Sequence, residues 1–159
     1  VRGERVVPVT EFYRGYRTTV CAVDELVVRL EFRVPSEGAV QMWRKVGTRR
    51  ALAVSKVTVA AVGEVDGGVV SRVGLGVGSV AEVVLPMVGV RREAAGKTVG
   101  KSGGKSVGNC DFNAFWNALE QAVETEIRPI DDLRSTARYR RHVAKVLIRR
   151  FFQALWGDE

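Results

Sequence analysis

The chain is poor in the residues from which metal and nucleophile sites are built. It holds one histidine, His142, and two cysteines, Cys21 and Cys110, with no Cys-x-x-Cys pair. A structural zinc site or a cysteine-held iron–sulfur cluster needs about four nitrogen or sulfur ligands, and this set cannot supply them. His142 sits among arginines in a helical stretch, which leaves a Ser-His-acid triad without a suitable base. The two cysteines stand in unrelated contexts, as free thiols of a reducing cytoplasm do. No apolar run is long enough to span a bilayer, and the first residues lack a signal-peptide pattern. The four prolines, Pro8, Pro35, Pro86 and Pro129, each mark the end or start of an element. Residues 95–106 carry two Gly-Lys-Ser triplets, yet the phosphate-loop glycine is missing from both. Ala95 stands in its place for Gly100 and Val99 for Gly104, and glycine and serine follow instead of an apolar helix.

What is present is a basic chain with enough apolar residues for a core. The 159 residues are 46% hydrophobic and carry a formal charge of +7. That suits one domain plus a piece of another, and a nucleic acid, an acidic partner subunit or an anionic cofactor as partner.

Residues 42–77 organise the rest. They read as a strand, a basic turn around Arg44, Lys45, Thr48, Arg49 and Arg50, a second long strand, an Asp66-Gly67-Gly68 turn and a third strand. Upstream, residues 5–9 predict a short edge strand, residues 10–13 one helical turn, and residues 28–34 a half-buried strand by their alternation. Residues 35–38, Pro-Ser-Glu-Gly, mark a domain boundary. Two strands offer too little core alone, so residues 1–35 are expected to join a sheet whose other strands lie elsewhere.

Downstream, residues 83–87 form an apolar segment stopped by proline, and residues 95–110 read as a flexible basic linker. Asp111 caps a helix over 111–125, with Phe112, Phe115, Trp116, Leu119 and Val123 on one stripe facing the sheet. A second helix, over 131–156, is expected to be capped by Asp131 or Asp132. Tyr139, Val143, Val146, Leu147 and Ala154 define its apolar face, and Arg134, Arg138, Arg141, Lys145 and Arg149 a basic one. That basic face suits solvent, an acidic neighbour or a nucleic-acid backbone. Phe152, Leu155 and Trp156 suggest docking of its end onto another chain or domain. The fold class is α+β: a small antiparallel sheet covered by two to three helices.

Several blocks, in order, resemble one family. They are Gly3-Glu4-Arg5, residues 11–18 (Glu-Phe-Tyr-Arg-Gly-Tyr-Arg-Thr), Asp24-Glu25-Leu26-Val27, and Lys45-Val46-Gly47-Thr48-Arg49-Arg50 running into residues 54–57. Residues 74–81 match a small-residue turn, and residues 127–141 (Ile-Arg-Pro-Ile-Asp-Asp-Leu-Arg-Ser-Thr-Ala-Arg-Tyr-Arg-Arg) a signature before the last helix. Together they resemble the flavin subunit of the molybdenum hydroxylases, of xanthine dehydrogenase and carbon monoxide dehydrogenase type. The resemblance implies the C-terminal half of that subunit: residues 1–35 as the tail of an FAD-binding domain, residues 36–159 as the C-terminal domain. The glycine-rich loops that hold the FAD pyrophosphate in the family have no counterpart here.

The resemblance further implies FAD as cofactor, with Leu26 and Val27 against the flavin and Lys45 approaching it. An isoalloxazine ring suits an apolar wall with backbone hydrogen-bonding groups, and an ammonium suits a reduced anionic flavin or a phosphate. Thr48, Arg49 and Arg50 match a loop near the flavin, while Ala51-Leu52-Ala53 replaces the acidic residues of the animal enzymes. The implied partners are molybdenum-binding and iron–sulfur (2Fe-2S) subunits, with NAD or another electron acceptor and a cytoplasmic setting. No residue of this chain is expected to act as an acid or base. Two other readings stand beside it: a flavin-free assembly module or truncated relic, and a basic nucleic-acid binder.

Overall fold

The computed structural model describes residues 3–49, 52–99, 101–102, 105–106 and 112–157. Arg50, Ala51, Cys110 and the expected Asp111 cap lie outside them. The chain divides into two compact units, Val1–Val34 and Pro35–Glu159.

The first unit is small and mostly irregular. Helix α1 (Val9–Phe12) is a single turn, one residue earlier than expected, and strands β1 (Tyr13–Gly15) and β2 (Thr18–Thr19) form a short antiparallel hairpin. The strands expected over 5–9 and 28–34 are not formed. Val28, Leu30, Phe32 and Val34 are each at least 74% exposed instead of half-buried. Alternation alone does not make a strand: its backbone groups need a neighbouring strand and its apolar side chains a surface to cover.

The second unit is built on three antiparallel strands in the order β3 (Val40–Val46), β4 (Val57–Asp66), β5 (Val69–Gly78). The two long strands join through Gly67 and Gly68, whose φ values of 54° and 78° fit the primed turn read from Asp-Gly-Gly. Burial alternates along β4 and β5: Val57, Val59, Ala61, Val73, Leu75 and Val77 face the core. Thr58, Ala60, Gly74, Gly76 and Gly78 face the other way. The glycines at 74–78 therefore lie within β5 and do not form a turn after it.

Three helices close the core side. The sequence reading missed α2 (Val88–Ala94), a seven-residue helix buried through Val90 and Ala94. Its pattern is too short to register as periodic. Its first turn receives the Glu126 carboxylate, which accepts from the Val90 amide at 3.2 Å. Helix α3 (Phe112–Glu126) packs against α2 and α4, with Phe115, Trp116, Leu119 and Val123 buried. These four are as read, while the Phe112 side chain lies outside what is described, and their main neighbours are helices where the sheet was expected.

Helix α4 (Ala137–Trp156) lies on β3 and β4. Gly63 permits its close approach, since a Cβ there would stand 2.6 Å from Leu155 Cδ1 and 3.1 Å from Phe151 Cζ. The buried residues of α4 are Arg140, Ala144, Leu147, Ile148, Phe151, Phe152 and Leu155. The expected face is thus corrected by a rotation: only Leu147 of the five assigned residues is fully part of it, and Tyr139 is 41% exposed. Phe152 and Leu155 fill this core, and Trp156 stacks on Phe115 with centroids 4.7 Å apart, so the helix end docks within its own unit.

Both edges of β5 and its neighbourhood are used. Residues 96–99, expected in a linker, bond to β5 through Gly96 N to Val70 O (3.0 Å) and Val70 N to Lys97 O (2.8 Å), and to the turn before it through Val99 N to Gly68 O (2.7 Å). Further along, Leu85 exchanges two 2.9 Å bonds with Val77. Between them Arg91 Nε donates to Val73 O at 3.0 Å. Beyond residue 99, strands β6 (Lys101–Ser102) and β7 (Lys105–Ser106) pair antiparallel.

Candidate functional site

The residues singled out from the sequence fall on both units. In the first, Leu26 and Val27 follow a turn tied down by charge. Arg5 donates Nε and Nη2 to the two Glu25 carboxylate oxygens, at 2.8 and 2.7 Å, and Nη2 also to Val20 O at 2.8 Å. The same Glu25 accepts from the Ala22 amide at 2.8 Å. The hydrogen bond and charge of Glu25 raise the Arg5 pKa further above its ordinary value. The pair fixes where the chain emerges as Leu26 (89% exposed) and Val27 (56% exposed), which are surface and not core of this unit. A polar cleft of about 610 Å³ lies in the same unit, lined by Arg5, Pro8, Glu11, Arg14 and Thr19 among others.

In the second unit the face of the sheet opposite the helices carries Lys45. Strand register places Gln41, Trp43 and Lys45 beside Val62, Ala60 and Thr58, and these beside Gly74, Gly76 and Gly78. The result is a small-residue floor with Trp43, 63% exposed, and Lys45 standing at one margin and Val84, 61% exposed, at the other. Lys45 makes no ion pair among the described residues. This face offers an indole ring, few side chains apart from Val62, and one cation. The sequence reading picked Lys45 but missed Trp43 and the glycine floor. The signal was available, as the period-two spacing of Gly74, Gly76 and Gly78 within a strand. Of the basic loop, Arg49 donates Nε and Nη2 to Leu52 O at 3.1 and 2.5 Å, and Thr48 is exposed.

Residues 127–141 have a structural explanation. Helix α4 starts at Ala137, six residues later than expected, because Thr136 is the cap: its Oγ1 accepts from the Tyr139 amide at 3.2 Å. Asp131 accepts from the Ala137 amide. Asp132 Oδ1 accepts from the amides of Arg134 (2.9 Å) and Ser135 (3.0 Å) and from Arg140 Nη2 (2.7 Å). The amide of Arg134, then the Arg140 guanidinium and the Ser135 amide, hold the Asp132 carboxyl below its usual pKa against partial desolvation. Arg140, 4% exposed, also donates Nη1 to Lys56 O and Ser79 O, each at 2.9 Å. One buried guanidinium thus ties together the start of β4, the end of β5 and the turn before α4. Sequence reasoning did not find Arg140, since an arginine among arginines carries no sign of burial.

The basic face of α4 meets α3. Lys145 Nζ lies 2.9 Å from both Glu120 and Glu124, and Arg141 Nε 2.8 Å from Glu124. Arg149 lies over the Trp116 ring, 5.2 Å from its centroid. With Arg134, which lies 3.8 Å from Asp132, four of the five residues assigned to the basic face are therefore engaged within the chain. Among the described residues, no group of histidine, cysteine and carboxylate side chains could hold a metal ion. No helix among them is long and apolar enough to cross a membrane.

Comparison with known proteins gives the same direction. No curated protein matches the chain. Its fold is that of carbon monoxide dehydrogenase from Hydrogenophaga pseudoflava, at TM-score 0.78 and 22% identity over 97% of this chain and 49% of that one. Carbon monoxide dehydrogenase from Oligotropha carboxidovorans superposes at 0.75 and 22% identity, over 92% and 46%. Quinoline 2-oxidoreductase from Pseudomonas putida 86 does so at 0.73 and 22%, over 97% and 49%. The chain spans about half the length of these structures. Residues 108–155 match the CO dehydrogenase flavoprotein C-terminal domain family, and the fold is the one that the resemblance implied.

Proposed function

We propose that the chain is part of the flavin subunit of a molybdenum hydroxylase and helps to hold FAD. The observation that carries this is the conjunction of a flavoprotein-domain match over residues 108–155 with an uncovered sheet face that presents Trp43 and Lys45. On this reading Pro35–Glu159 is the C-terminal domain and Val1–Val34 belongs to the FAD-binding domain. FAD, when bound, supplies reversible one- and two-electron chemistry. This chain's residues position it: Leu26 and Val27 offer an apolar wall, and Lys45 places a positive charge near the ring or its phosphates. Partner subunits would supply molybdenum and 2Fe-2S centres, with a purine, aldehyde or carbon monoxide as the source of electrons. NAD or another acceptor removes them, in a xanthine dehydrogenase-like scheme in the cytoplasm. No side chain here is assigned an acid or base step.

The family's pyrophosphate-holding loops have no counterpart in this sequence, so the chain alone is expected to bind FAD weakly or not at all. Flavin fluorescence titration of the purified chain, repeated with an FAD-binding domain that carries those loops, tests this. Binding that strengthens on that addition, and weakens with Lys45→Ala, supports the reading. Binding to neither preparation refutes it, and flavin retained by the chain alone through gel filtration refutes the expected weakness.

A further inference from the structure

The three tryptophans are used differently. Trp116 is buried with Arg149 over its ring, and Trp156 stacks on Phe115. Trp43 stays 63% exposed and has no ring or cation contact among the described residues. Its place in β3 explains the exposure. Val40, Met42 and Val46 pack toward the core, so Gln41, Trp43 and Lys45 stand on the opposite face. An indole left there contributes little to the core, and tryptophan is among the residues enriched where binding energy concentrates.

The sheet beside Trp43 forms a recess. Trp43, Ala60 and Gly76 lie in one cross-strand row, and Lys45, Thr58 and Gly78 in the next, about 7 Å along the strands. Val62 closes one end, since a Cβ on Gly74 would stand 2.8 Å from its Cγ1. Val84 borders the side opposite Trp43. A Cβ on Gly76 would stand 3.5 Å from one of its methyls, and a Cβ on Gly78 3.7 Å from the other. Ala60 and Gly76 are the floor, and Lys45 and Thr58 mark the open end. From β3 to β5 the recess spans two strand spacings, roughly 10 Å, which is room for a fused-ring system.

We infer that this recess takes the isoalloxazine ring of FAD, in van der Waals contact with the Trp43 indole. This rests on the reading of the chain as part of a flavin subunit, and adds Trp43 and the Gly76 floor to the residues that hold the ring. The chemistry of the walls fits. An oxidised isoalloxazine is electron-poor and indole is electron-rich, so the two rings attract beyond the area they bury. Reduction places negative charge on the flavin, which the Lys45 ammonium at the open end meets. Adenine, the other ring of FAD, stays neutral and offers Lys45 no such partner.

The test uses the full chain together with an FAD-binding domain that carries the pyrophosphate loops, and FAD itself as probe. The readouts are the fluorescence yield of bound flavin, the affinity by titration and the melting temperature. An indole in contact with a flavin quenches its emission, and leucine or phenylalanine in its place does not. Trp43→Leu is expected to raise the yield severalfold and to weaken binding about two- to tenfold. Trp43→Phe should recover most of the affinity yet stay bright, a split that misfolding would not produce. Gly76→Val fills the floor and should weaken binding about tenfold or more. Its melting temperature should hold or rise, because a branched side chain suits a strand better than glycine does. A yield in Trp43→Leu no higher than in the wild type overturns the ring contact and leaves the flavin-subunit reading standing. A wild-type preparation that binds no FAD overturns both.

Discussion

The two units treat the same kind of sequence differently. Residues 28–34 and residues 57–63 both carry apolar side chains in alternation, yet Phe32 is 83% exposed and Val59 fully buried. What differs is the surroundings. Strand β4 has β3 on one side, β5 on the other and α4 across its face. Residues 28–34 have no paired strand among the described residues. Local pattern is a request for burial, and long-range partners grant it.

The comparison breaks or sharpens at defined positions. The largest contrast is expected between two phenylalanines. Phe151→Ala should cost about 3–5 kcal/mol, as truncation of a buried aromatic does. Phe32→Ala should stay within about 0.5 kcal/mol, the range of an exposed site. Urea denaturation of both variants measures this, and equal losses would dissolve the distinction between the units.

Next come two arginines. Arg140→Met removes three hydrogen bonds from a buried guanidinium and should cost about 2–3 kcal/mol. Arg29, exposed, pairs with Glu4 and Glu31, and Arg29→Met should leave the denaturation midpoint unmoved because solvent screens such pairs. Third is overpacking. Gly63→Val drives a branched side chain into Leu155 and Phe151, for about 1–3 kcal/mol, read as a lowered melting temperature.

The smallest effect is electrostatic. The hydrogen bond from Lys145 holds the Glu124 carboxyl below its usual pKa, against desolvation and with help from Arg141. Burial works against the Lys145 charge, but Glu124 and Glu120 outweigh it and raise its pKa. The Glu124 contribution is therefore present above the ordinary carboxylate pKa and is lost as pH falls through the depressed folded value. The Lys145 contribution is present below the ordinary lysine pKa and is lost as pH rises through the raised one. Glu124→Gln should lower stability slightly near neutrality and leave it almost unchanged at acid pH, which flattens the acid limb of a stability–pH curve.

Much of the second unit was legible because its signals are local. Asp66-Gly67-Gly68 specifies a tight turn by backbone sterics, and the spacing of Phe115, Trp116, Leu119 and Val123 specifies a helix face. Arg44 and Lys45, read from local pattern as part of a basic turn, stand instead in β3, and only the family resemblance had put Lys45 on a strand. Arg140, the Thr136 cap and helix α2 were not legible. A buried arginine is recognisable only through the carbonyls of Lys56 and Ser79, which are far away in sequence. A helix as short as Val88–Ala94 owes its stability to packing more than to periodicity.

By itself the sequence determined the strand order of the hairpin, the sites of its turns, the α+β class and the positive charge, all of which follow from neighbouring residues and covalent geometry. Tertiary structure alone decided which arginine is buried, which face of α4 looks inward, and that residues 28–34 stay in water. Each of those outcomes depends on surfaces brought together from distant parts of the chain, and no stretch of sequence contains its own neighbour.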